Sequence, residues 1–169
     1  MTYTSAQANK LLKKLNDEHA ALLDKENRSK DFRAAMGEDV ESVRPVYDYA
    51  DTQKKLAELE QRIRKVKHAI NVFNATHVIP GFGMTIDEML VYIPQLTQRK
   101  NKLADMKARL PKQRVEEQYG RQSNIIDYSY ANYDLTAVEA DYEKAADELS
   151  RAQLALDAVN QRDTFELEE

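Results

Sequence analysis

Apolar residues recur along much of this chain at alternating intervals of three and four, the spacing that aligns them on one face of a helix. Leu56, Leu59, Ile63, Val66, Ile70 and Phe73 form one such seam, predicting a helix near 51–74, with Lys54, Glu58, Arg62 and Lys65 among the solvated positions between. Leu135, Val138, Tyr142, Ala145, Leu149, Ala152, Leu156 and Val159 form another, predicting a helix near 136–161 that Thr136 and Glu139 open with a capping box. A third, near 85–110, carries Ile86, Met89, Leu90, Ile93, Leu96, Leu103, Met106 and Leu110, with Lys100 interrupting.

The first helix is less regular. Thr4 or Ser5 is a ready N-cap, and Leu11, Leu12, Leu15, Leu22 and Leu23 mark a face. Continuing that face brings His19, Glu26 and Ser29 to seam positions, so a polar layer is expected there before Phe32 and Met36 resume the pattern. The helix is placed near 5–36, with Gly37 as its stop. In the connection that follows, Val43, Val46, Tyr47 and Tyr49 are expected to fold back on a helix as a cover.

The stretch from Ile63 to Leu96 turns the chain. Pro80-Gly81-Phe82-Gly83 is a turn signal, since proline fixes its own φ and glycine accepts positive φ. Thr85 and Glu88 then have capping-box spacing. Pro94 removes the amide that would bond the Leu90 carbonyl, which predicts a kink, and Pro111 should end that helix. Ile125 to Tyr133 alternates as a strand, with Ile126, Tyr128 and Tyr130 on one face. The other β-prone piece is 76–79, so a short β element formed by 76–79 and 124–133 is expected.

Composition agrees with long amphipathic helices: 32% of residues are charged against 42% hydrophobic, with only 4 Gly and 4 Pro. The predicted fold class is mainly all-α, an elongated antiparallel helical bundle or coiled coil of about four helices in a single helical domain, 1–169. A formal net charge of -4 disfavours a surface built for nucleic acid. The absence of cysteine excludes disulfides and thiolate metal sites and suits a reducing, cytoplasmic setting. The start of the sequence reads as no signal peptide, and no window has the apolar length of a membrane span. Charge is unevenly distributed. Val91 to Arg114 holds Arg99, Lys100, Lys102, Lys107, Arg109, Lys112 and Arg114 against Asp105 alone, while the segment from Asp134 onward is strongly acidic. Opposite signs favour the third long helix beside the last, within one chain or between subunits.

No catalytic constellation stands out, and the reading is of a non-enzyme without cofactor or metal. A Glu-x-x-His pair would need glutamate at 16, 65 or 74, which are Asn, Lys and Asn. Gly81-Phe-Gly83 is too short for a dinucleotide loop. The candidate contact surface is Asn71, Asn74, His77, Tyr128, Tyr130 and Tyr133, where the bend would meet the tyrosine strand. Asn71 and Asn74 read first as caps at a helix end, and the tyrosines, with Tyr119, as a cover on the bundle that could also serve recognition.

The order of these features resembles the septicolysin-like family of small bacterial proteins. The matching positions are Ile70-Asn71-x-x-Asn74, the glycine turn leading to Thr85, Met89-Leu90, the Ile-rich strand from Ser123 to Tyr128, Val159-Asn160, Thr164 and Leu167. The resemblance implies a helical protein without an established activity, and the family's label adds a membrane-active or lipid-binding alternative. Gln161 stands where that family tends to have tryptophan, so no site residue is carried over. The functional expectation is a structural or interaction protein that self-associates, because three seams on long rods exceed what one small domain buries. An unidentified protein partner fits the same picture.

Overall fold

The computed structural model describes residues 1–115 and 126–167. These residues are 68% helical, with five helices and two small two-stranded sheets, so the fold is mainly all-α with a minor β component. The elements follow as β1 (Thr2–Thr4), α1 (Ser5–Ser29), α2 (Val40–Val43), α3 (Tyr49–Thr76), α4 (Ile86–Lys107), β2 (Lys112–Arg114), β3 (Tyr128–Tyr130), α5 (Leu135–Arg162) and β4 (Thr164–Glu166). Their contacts group into two units, Met1–His77 with Ala158–Glu169, and Val78–Asp157.

In the first unit Thr4 caps α1. Its hydroxyl accepts from the Gln7 amide at 3.2 Å while the Gln7 side chain accepts from the Thr4 amide at 3.0 Å. Asp48 caps α3 in the same way, its carboxylate accepting from the Asp51 amide at 3.0 Å. The two helices run antiparallel, as the pairings of His19 with Glu60 and of Glu26 with Gln53 show. Their seams mesh in a core of Ala8, Leu15, Val66, Ile70 and Leu167, flanked by Tyr3, Leu12, Leu59, Ile63 and Phe165. β1 pairs antiparallel with β4, setting Tyr3 opposite Phe165, so this small sheet closes one end of the helix pair.

The polar layer is present. Glu26 Oε1 accepts from the Tyr47 hydroxyl at 2.6 Å and from Gln53 Nε2 at 2.7 Å, and His19 Nε2 lies 3.3 Å from Glu60. These bonds explain why polar residues occupy a seam: each is half-buried or partnered across the helix pair, so its polar atoms are satisfied. Beyond this layer α1 has nothing apolar to bury and ends at Ser29, seven residues short of the expected boundary. Phe32 and Met36 therefore lie outside any helix, Met36 fully exposed and Phe32 beneath the Arg44 guanidinium at 5.2 Å. Gly37 adopts φ 86° in a turn and does not stop a helix. Of the expected cover, Tyr47 folds back on α1 through Glu26, whereas Val46 and Tyr49 point to solvent.

The second unit begins with the bend. Val78 bridges to Thr85, the Ile79 amide bonds the Met84 carbonyl at 2.8 Å, and Gly81 and Gly83 take φ of 83° and 65°, which a side chain would strain. This bridge replaces the expected pairing of 76–79 with the tyrosine strand: the turn is so tight that Val78 finds its partner seven residues on. Thr85 and Glu88 form the capping box, at 3.2 Å and 2.7 Å. From there α4 buries Ile86, Met89 and Leu96, while Leu90 and Leu110, read as seam residues, are exposed. Pro94 lies inside α4, where it leaves the Leu90 carbonyl without its helical amide partner.

The α4 helix stops at Lys107, and the chain passes through Pro111 into β2. β2 pairs antiparallel with β3, Lys112 opposite Tyr130 and Arg114 opposite Tyr128. The tyrosine strand thus exists, but its partner is Lys-Gln-Arg, a triplet without β-branched or aromatic residues, which is why the sequence hid it. The α5 helix is capped by Asp134, whose carboxylate accepts from the Thr136 amide at 2.8 Å, in place of the expected box at Thr136. All eight residues of its seam are buried or half-buried.

Candidate functional site

Three of the six candidate residues lie at the end of α3. Phe73, 8% exposed, stacks between two rings, His77 at 4.6 Å and Phe165 at 4.7 Å between centroids. This packing carries the helix to Thr76, so Asn71 and Asn74 lie within α3 and do not cap it. The cap is His77, whose amide bonds the Phe73 carbonyl at 2.9 Å. The His77 imidazole Nε2 lies 2.6 Å from Asp163 Oδ2, both side chains about one-third exposed. Asp163 stands 86 positions away in the chain and no local spacing announces it. Chemically this is an imidazole–carboxylate pair braced by aromatic rings. Among the described residues no cluster of three or more metal-binding side chains exists, so the pair lacks the further ligands a metal would need. Its evident work is to tie the end of α3 to the chain leaving α5.

The other three candidates belong to the β2–β3 hairpin. Strand alternation places Lys112, Arg114, Tyr128 and Tyr130 on one face and Gln113 and Ser129 on the other. Gln113, Ser129 and Tyr130 line a hollow of about 260 Å³ together with Met106, Arg109, Leu110, Ala131 and Tyr133. Tyr133 is structural, its hydroxyl donating to the Met106 carbonyl at 2.9 Å near the end of α4. The opposite face is open: Tyr128 is 47% exposed and Tyr130 62%. The Lys112 ammonium sits 4.1 Å from the Tyr128 ring centre and 5.5 Å from that of Tyr130, which orders the cation and both rings as one surface. Ile126, exposed two residues before Tyr128, continues the same face. Tyr119, the remaining tyrosine of the expected recognition group, lies outside the described residues.

Every residue of both strands is exposed, Tyr128 and Tyr130 included, where a structural sheet would bury its aromatic residues.

Within the same unit α4 lies against α5, joined by bonds of opposite charge. Lys107 Nζ reaches Glu139 at 3.0 Å and Glu143 at 3.4 Å and lies 5.0 Å over the Tyr142 ring. The bond to Glu139, foremost, raises the Lys107 pKa above the usual lysine range. The Tyr92 hydroxyl donates to Glu148, which together with burial raises the Tyr92 pKa. The expected adjacency of these helices is present, carried by Lys107 and Tyr92.

No family model matches this chain, and no curated protein does. It is similar to the crystal structure of a functionally unknown conserved protein from Corynebacterium diphtheriae. The TM-score is 0.59 at 17% identity, covering 98% of this chain and 100% of that one. At that identity the likeness is one of fold. No helix among the described residues is long and apolar enough to cross a membrane.

Proposed function

We propose that this chain is a non-enzymatic interaction protein, a helical scaffold that self-associates through the outer face of the β2–β3 hairpin. The observation that carries the reading is the orientation of that hairpin, with Tyr128 and Tyr130 turned to solvent beside Lys112. Two strands alone are marginal in water, and a surface of this kind gains most from being covered. Tyrosine also supplies contact area and a hydroxyl at low entropy cost, the chemistry enriched at protein interfaces. Under this proposal the chain works in the cytoplasm, which its lack of cysteine suits. The septicolysin-like resemblance belongs to the same proposal, as kinship with helical proteins without an established activity. Sedimentation across the micromolar range tests the reading: a concentration-dependent rise in mass supports it, and a constant monomer mass refutes it. Absence of dye leakage from anionic liposomes separates it from a membrane-active protein.

A further inference from the structure

The exposed side of α5 carries an acidic row. Glu139, Glu143 and Asp147 are spaced by four residues, so they stack one above another on one face of the helix. Like charges at this spacing repel. Within the unit Lys107 touches Glu139 and Glu143, no cation among the described residues lies within ion-pair distance of Asp147, and Arg151 continues the row four residues beyond it. Three carboxylates thus face two cations, and the row remains negative.

The hairpin presents the converse. Lys112 and Arg114 stand on its outer face, and among the described residues no carboxylate pairs with either. Their separation along the strand is about 6.8 Å. One turn of helix between Glu143 and Asp147 advances about 6 Å, so two cations on the strand match two carboxylates on the helix in spacing and in sign. In cis this match is not made: among the described residues the cation on Glu139 and Glu143 is Lys107, not Lys112 or Arg114.

We infer that the occupant of the hairpin's outer face is a second copy of this chain, with Lys112 and Arg114 engaging Glu143 and Asp147 on the α5 of that copy. The inference rests on the self-association proposed above and names its partner surface. Both surfaces belong to the same unit, and the proposed contact is a two-fold dimer in which each copy gives a hairpin and receives one. Tyr128 and Tyr130 supply the apolar part, and Lys112, already ordered over their rings, loses little freedom on docking.

Charge-swapped variants test it. K112E/R114E and E143K/D147K alter exposed side chains, and circular dichroism confirms that each keeps its helix content. Sedimentation at low salt is then read for the parent, each variant, and their equimolar mixture. Expected are a parent that associates, variants that each bind themselves at least about tenfold more weakly, and a mixture that recovers association, all weakening with salt. Variants that associate as the parent does, or a mixture that stays monomeric, overturn the pairing while leaving self-association standing. A parent that is monomeric throughout overturns both.

Discussion

The two small sheets of this protein invite direct comparison, since each has two antiparallel strands of three residues and two aromatic side chains, one at the centre of each strand in β1–β4 and both on β3 in β2–β3. In β1–β4 the aromatics Tyr3 and Phe165 pack on the core of α1 and α3, and the next residue, Leu167, is 1% exposed. In β2–β3 every strand residue is exposed, both tyrosines included. Equal secondary structure therefore serves opposite ends. The first sheet consumes its apolar surface in folding, and the second leaves it exposed to solvent.

The sharpest way to break that contrast is to remove an aromatic from each side. Phe73→Ala, which strips the ring between His77 and Phe165, should cost about 3–5 kcal/mol in denaturant unfolding. The double change Tyr128→Ser and Tyr130→Ser should alter unfolding by no more than about 1 kcal/mol, the scale of cross-strand pair effects, while abolishing association in sedimentation. Equal stability losses in the two would erase the distinction. A smaller effect comes from Thr4→Ala. Thr4 ends β1 and also caps α1, so losing its hydroxyl should lower stability by about 1 kcal/mol, and a null result would uncouple that sheet from its helix.

The smallest effect concerns a third tyrosine. Tyr47 spends its hydroxyl on Glu26, and that bond, with burial second, raises its pKa from 10.0 to about 12. Because the folded value lies above the unfolded one, the stabilisation is complete below pH 10.0 and is lost as pH rises toward about 12. The stability difference between the parent and Tyr47→Phe should accordingly be constant up to that window and shrink through it. A difference independent of pH there would show that the Glu26 bond is not maintained in solution.

What could be read from the sequence follows from periodicity. The α3 and α5 seams were legible because their three-and-four spacing runs unbroken, and the Thr85–Glu88 cap because its partners are three residues apart. The end of α1 was not, since Glu26 and His19 look like seam breaks until Tyr47, Gln53 and Glu60 are brought across from elsewhere. Strands of three residues leave no alternation to detect, which hid β1, β4 and the Lys-Gln-Arg partner of the tyrosine strand. At the candidate site Tyr128 and Tyr130 were legible as aromatic, but their exposure depends on which face Gln113 and Ser129 take. Asn71 and Asn74 were misread because Phe73, through Phe165, extends the helix past them. His77 was named without its partner, Asp163.

Pairing of Thr2–Thr4 with Thr164–Glu166 also has a consequence for the order of folding. The first unit is interrupted by the whole of the second, so its sheet joins residues about 160 apart, a closure costing on the order of 4–5 kcal/mol in chain entropy as a flexible loop. α1 and α3 meet across a short connection and need not wait. Loop-closure entropy therefore predicts that the sheet and the docking of Leu167 form late, and that prior folding of residues 78–157, by shortening the loop that must close, speeds that step as a splint would.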